Sequence, residues 1–147
     1  MGTRSLTRVI PRQEGLAYNK GHEHGELAYV NMYRHYDGYP EGHGLDLAHY
    51  LKDFTIINGI GEEAKMGTHA NGPGCLAAQI VHAFKTDVGY INLYPTDNDS
   101  GWEDYIYTLF PKEGEPVYIA IYRVYTKECI FVGTPQELID KYTSEES

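Results

Sequence analysis

The chain has little cysteine, few cations and no long apolar run, and each shortage excludes a class of protein. Two cysteines in 147 residues, Cys75 and Cys129, are too few for a secreted disulfide scaffold. Set far apart in apolar surroundings, they read as buried thiols in a reducing compartment. No apolar run approaches the roughly 18 residues of a membrane helix, and the N-terminus lacks a charged-then-apolar signal pattern. The expectation is a soluble cytoplasmic protein. With 12 Lys and Arg against 21 Asp and Glu, the formal charge of −9 repels duplex DNA and other nucleic acid polymers. A small nucleotide stays compatible, because a few arginines in one pocket can hold one or two phosphates. Repeats, linkers and low-complexity tracts are missing as well, so residues 1–147 read as a single domain large enough for its own core.

What the chain has in plenty is tyrosine, 14 residues, and glycine, 16. Tyrosine brings a stacking face and a hydroxyl with only two torsions to freeze, which suits recognition, although strands favour it too. The densest stretch is Tyr33-Arg34-His35-Tyr36-Asp37-Gly38-Tyr39-Pro40-Glu41-Gly42-His43-Gly44. It is poor core material and good site material. It also lies where an alternating segment hands over to a helical one, a place where scaffolds present chemistry.

Alternation and turn residues predict strands over residues 3–10, 27–36, 90–94, 104–110, 117–125 and 129–132. Residues 13–26 read as a mobile loop or loose hairpin, and 56–74 as a glycine-rich loop. Helix one, over 45–54, turns Leu47, Ala48, Leu51 and Phe54 inward; helix two, over 75–85, is apolar nearly all round and reads as buried across a sheet. A last helix begins at Thr134 as N-cap, with Pro135 in the first turn and Glu137 closing a capping box. The sum is an α+β domain: a mostly antiparallel sheet of five or six strands with two or three helices, a buried helix packed on one face. The connections at 96–101 and 112–116 have hairpin composition. If the parities hold, Tyr29, Tyr33, Tyr90, Tyr94, Tyr118 and Tyr122 share one sheet face, which reads as a homo-oligomer interface, with a pocket wall as the alternative.

Two helices start after glycine-flanked loops, Gly42-His43-Gly44 and Asn71-Gly72-Pro73-Gly74. Free backbone N–H groups there, with Arg34, can cradle a phosphate; ordinary turn chemistry is the alternative, since neither loop matches a known nucleotide pattern. Arg34 and Arg123 each fall on core parity near a strand end. A buried guanidinium needs a partner, either a carboxylate such as Asp37, Asp46 or Asp104, or a ligand phosphate. Cys75, at a helix start, reads as a small buried thiol rather than a nucleophile, because the only histidine downstream is His82 of the same helix. No histidine pair has zinc-hydrolase spacing, so neither a metal nor another cofactor is expected. His35, Asp37, Glu41 and His43 can pair across one turn for acid–base work, with Tyr36 and Tyr39 stacking on a ring.

Thr3-Arg4-Ser5, the stretch from Tyr33 to Gly44, Gly74-Cys75-Leu76-Ala77-Ala78-Gln79 and Tyr90-Ile91-Asn92-Leu93-Tyr94-Pro95 together carry a resemblance. The chain resembles a set of small phage and bacterial proteins with Thr-Arg-Ser/Cys followed by Tyr-Arg-His-Tyr/Trp-Asp-Gly-Tyr-Pro-Glu. In type it is similar to phage sponges that sequester nucleotide immune signals such as cyclic ADP-ribose isomers. The resemblance and this analogy imply an anti-defence protein in the host cytoplasm that binds such a signal or a cyclic oligonucleotide. The residues expected at the ligand are Arg4, Arg34, His35, Tyr36, Asp37, Tyr39, Glu41, His43, Gly44, Asn71, Gly72 and Gly74. The alternative is a phosphodiesterase or glycohydrolase, with His35 or His43 as base and Asp37 orienting it.

Overall fold

The computed structural model describes residues 3–12, 17–57, 69–86, 88–96 and 103–144. Strands β1 (Ser5–Val9), β2 (Asn31–Arg34), β5 (Ile91–Leu93), β6 (Tyr105–Phe110), β7 (Tyr118–Arg123) and β8 (Glu128–Gly133) form one sheet in the order β5-β2-β1-β6-β7-β8. Every neighbouring pair is antiparallel except β1 with β6. Short strands β3 (Thr55–Ile57) and β4 (His69–Asn71) pair parallel in a sheet of their own, within what the sequence suggested was only loop. The helices are α1 (Leu45–Leu51), α2 (Gly72–Phe84) and α3 (Pro135–Ser144). The expected α+β class is the observed one. No helix among the described residues is long and apolar enough to cross a membrane.

All three helices pack on one sheet face, because the period of each stripe matches it. Leu47, Leu51, Leu76, Ile80 and Leu138 meet Val9, Met32, Leu109 and Ile119 in a single cluster. Burying a leucine or isoleucine of this size contributes roughly 1.5–3 kcal/mol. The capping box forms as expected: Glu137 N donates to Thr134 Oγ1 at 3.2 Å, and Thr134 N donates to Glu137 Oε1 at 2.9 Å.

Several expectations are corrected. Helix α2 is not apolar all round: Leu76, Ala77 and Ile80 are buried, while Cys75, Ala78 and His82 face solvent. Alanine and cysteine are small enough to sit on either side, so counting them as apolar exaggerated the stripe. The stretch at 96–101 does not close a hairpin, since β2 and β1 lie between β5 and β6. Residues 18–27 form a run of 3₁₀ turns, kinked at Lys20, laid on the sheet's second face, and only 13–16 of the expected loop fall outside the described residues. His22 stacks on Tyr122 at 3.5 Å, Tyr18 packs on Phe110 and Tyr118, and a Cβ on Gly21 would lie 2.4 Å from the Phe110 ring. The tyrosine face is therefore divided. Tyr33, Tyr94 and Tyr122 cluster with Leu6 and Ile106, Tyr118 joins Phe110, and Tyr90 sits on Arg34.

Candidate functional site

Alternation along β2 puts Met32 on the helix face and Arg34 after it, at the strand's end. Arg34 is 7% exposed and uses four of its five N–H donors. Its Nε donates to the Tyr36 carbonyl at 2.7 Å, Nη1 to Asp46 Oδ2 at 3.0 Å and to His43 Nδ1 at 2.9 Å, and Nη2 to the Tyr90 hydroxyl at 3.0 Å. Of the three carboxylates considered from sequence, Asp46 is the partner.

His43 is fully buried. A guanidinium only donates, so Nδ1 must accept and the proton resides on Nε2, which donates to Thr7 Oγ1 at 2.7 Å. Burial first, and the Arg34 charge second, hold the imidazole well below its ordinary pKa. Tyr107 and Phe84 wall the ring edge-on at 4.9 and 5.4 Å.

The turn between these two residues is a backbone knot. Asp37 takes φ 57°, Gly38 N donates to the Thr3 carbonyl at 2.8 Å, and the Tyr107 hydroxyl donates to the Gly38 carbonyl at 2.7 Å. A Cβ on Gly38 would lie 2.8 Å from Thr3 O, and one on Gly42 2.5 Å from Asp37 O. Pro40–Gly44 is a single π-helical turn with Pro40 at its start, where a missing N–H costs nothing. Its amides are used internally: Gly42 N reaches the Tyr39 carbonyl and His43 N the Asp37 carbonyl. Gly44 is buried beside Tyr107 and presents no open amide cradle.

The other loop is elsewhere. Helix α2 has 13 residues, about 18 Å from first to last at 1.5 Å per residue, and its last residue, Phe84, is the one that touches His43. Gly72 and Gly74 therefore stand at the far end, where Gly74 faces the Tyr29 ring. The side chain of Asn71 lies outside the described residues. Arg4 is also separate. Its charge acts on the Tyr33 hydroxyl, and it alternates with Ser5, so it serves the opposite face of the sheet.

What remains at the surface is aromatic. His35 Nδ1 pairs with the Tyr33 hydroxyl at 2.8 Å, and its ring meets Tyr36 edge-on at 4.5 Å. Tyr36 leans on Tyr90 at 5.7 Å, and Tyr90 lies under the Arg34 guanidinium at 5.3 Å. Tyr36, Thr86, Val88 and Tyr90 line a groove of about 600 Å³. On the other side of Tyr90, Arg34, Asp46, Tyr50, Ala83 and Phe84 line a space of about 330 Å³. Tyr39 is exposed, with its hydroxyl donating to Asp37 Oδ1 at 3.3 Å, and Glu41 lines a separate pocket.

Tyr90 was missed as a site residue, and its backbone marks it. It takes φ 66° directly after Gly89 at φ 76°. A bulky residue in the left-handed region costs about 1–3 kcal/mol, and such strain gathers at functional sites. Its carbonyl accepts from His35 N at 2.9 Å and its hydroxyl from Arg34, so both ends are fixed. The Val88-Gly89 step before it is the only local signal the sequence offers.

No group of three or more His, Cys, Asp or Glu side chains among the described residues is arranged to hold a metal ion. Comparison with known proteins adds no relative: no family model, no curated protein and no solved structure matches the chain.

Proposed function

We propose that the chain binds a small nucleotide-derived molecule without cleaving it, seating a flat ring on Tyr36 and Tyr90. The observation that carries this reading is Tyr90. It is held at a strained φ of 66°, tied at carbonyl and hydroxyl, and aimed with Tyr36 into a groove of about 600 Å³, within the range of small-ligand sites. A ring stacked there gains roughly 1–3 kcal/mol per base. The wider role is sequestration of a signal of the cyclic ADP-ribose or cyclic oligonucleotide type, an anti-defence sponge. Its support is the resemblance of the motif together with this groove.

Binding is preferred to hydrolysis for a geometric reason. His43 has both nitrogens engaged and no exposed surface, Asp37 is bonded to Tyr39 on the outside, and His35, whose Nδ1 is taken by Tyr33, has no carboxylate bonded to it among the described residues to orient it as a base. A base needs a free lone pair within reach of the proton it removes.

The test is to incubate the protein with cyclic ADP-ribose isomers and cyclic dinucleotides, wash, heat-denature and analyse the released material. Intact ligand is expected. Cleaved ligand would replace binding with catalysis, and no depletion of any candidate would overturn the reading.

A further inference from the structure

The strand registers place a second arginine in Arg34's row. Across the sheet, Ile91, Arg34, Ser5, Tyr105, Arg123 and Glu128 are successive partners. Arg34 and Arg123 thus share one face, three strands or about 14 Å apart at ~4.8 Å per strand. Their states differ. Arg34 uses four of its five N–H donors, whereas Arg123 donates from Nε to Thr126 Oγ1 at 2.9 Å and rests 5.6 Å from the Tyr125 ring. Its two terminal nitrogens have no hydrogen bond or ion pair among the described residues. A half-buried guanidinium with an idle fork is poised for an oxyanion.

The fork borders a pocket of about 270 Å³ formed with Glu41, Tyr105 and Lys141 over a floor of Pro40 and Tyr142. Pro40 and Tyr142 are buried and Tyr105 is half-buried, so the walls are fixed by the core. Lys141 arrives on α3, whose start is pinned by the Thr134–Glu137 box, and its ammonium lies 3.4 Å from the Ile130 carbonyl and 5.6 Å from the Tyr142 ring centre. The Tyr105 hydroxyl and the Glu41 carboxylate make no hydrogen bond among the described residues. In a chain of net charge −9, the described lining of this pocket brings two cations, Arg123 and Lys141, beside one carboxylate, Glu41.

We propose that this pocket is a second ligand site, taking the phosphoryl group of a small phosphorylated sugar-like molecule. The phosphate oxygens sit on the Arg123 fork, the Lys141 ammonium and the Tyr105 hydroxyl, and a ligand hydroxyl donates to Glu41. The site stands on these residues alone and does not depend on the Tyr36–Tyr90 groove.

Ribose 5-phosphate is the probe, titrated into the ¹⁵N-labelled protein. Saturable shifts at Glu41, Tyr105, Arg123 and Lys141 are expected, absent with free ribose and with sodium chloride of matched ionic strength. Arg123→Gln should weaken binding at least about tenfold, the loss of a charge-assisted pair. Lys141→Gln, at an exposed helix position, should weaken it in the same direction. Tyr36→Ala should leave it unchanged. Absent saturation, equal shifts with sodium chloride, or wild-type affinity in both charge variants would overturn the proposal. So would binding lost in Tyr36→Ala and kept in Arg123→Gln, which would assign the phosphate to the groove.

Discussion

Arg34 Nη1 donates to His43 Nδ1 at 2.9 Å, at a position where Arg34 is 7% exposed and His43 fully buried. A permanent cation bonded to a neutral imidazole joins the end of β2 to the turn before α1. The bond also fixes the tautomer that serves Thr7. Arg34 is thus a tie between strand, turn, α1 and Tyr90, and the stretch from Tyr33 to Gly44 is first a way of closing the sheet's end. Its exposed part, around Tyr36 and Asp37, is the rim that the tie holds in place.

Removing the tie should cost stability before it costs binding. Arg34→Ala leaves the buried His43 Nδ1 and the part-buried Tyr36 carbonyl without their donor, and a buried acceptor left unsatisfied costs about 1–3 kcal/mol. Urea unfolding should show a loss of at least ~2 kcal/mol, with Arg34→Lys intermediate because an ammonium cannot reach four acceptors in a plane. An Arg34→Ala protein as stable as wild type would mean that the guanidinium is held for a ligand alone.

The pH dependence follows from His43. Its folded pKa is lowered, so the unfolded chain, titrating near 6.5, binds the extra proton. Stability is therefore full above pH 6.5 and falls as pH drops below it towards the folded pKa. The slope is at most about 1.4 kcal/mol per pH unit. His43→Gln should be less stable at pH 7 yet show a shallower slope between pH 6.5 and 5, by close to one proton. Identical slopes in the two proteins would show that His43 does not titrate on unfolding.

The two glycine loops should respond oppositely to alanine. A Cβ on Gly42 meets the Asp37 carbonyl at 2.5 Å, backbone that cannot swing aside, and overpacking of this kind costs about 1–3 kcal/mol. A Cβ on Gly74 makes ordinary 3.6 Å contact with the Tyr29 ring inside α2, where alanine is the better helix former by roughly 0.5–1 kcal/mol. Thermal melts should show Gly42→Ala lowered and Gly74→Ala unchanged or raised. Gly74→Ala should also bind ligand normally, as it stands at the far end of α2. Lost binding in that variant would return the loop to the site.

These results mark where the sequence was informative. Local signals carried well. The alternation in β2 placed Arg34 and His35 on opposite faces, and Thr134 with Glu137 announced α3. Arg34 and Arg123 were visible as odd residues at strand ends, and the registers set them in one row. Pairing at a distance did not carry. Nothing near residue 5 or residue 105 declares that β1 lies parallel to β6, yet that pairing separates β5 from β6. The length of α2 likewise decides that its glycine start is remote from His43, a fact of three dimensions that motif spacing cannot express. Small residues misled as well, since Cys75 and Ala78 looked like core and face water.

Tyr36 and Tyr90 separate recognition from folding. Tyr36 is 49% exposed and its contacts are to the rings of His35 and Tyr90, so Tyr36→Ala should change stability by no more than about 0.5 kcal/mol. The stacking face disappears with it, and ligand affinity should fall by roughly 1–3 kcal/mol in a calorimetric titration. Tyr90→Phe keeps the ring and removes only the hydroxyl that accepts from Arg34, so it should retain most of the affinity. Tyr90→Asn suits the left-handed backbone better and should match or exceed wild-type stability while losing the ring and the ligand. Gain in fold with loss of binding at one residue is what stored strain at a recognition site entails. If Tyr90→Asn bound as tightly as wild type, the strained tyrosine would have no part in the ligand.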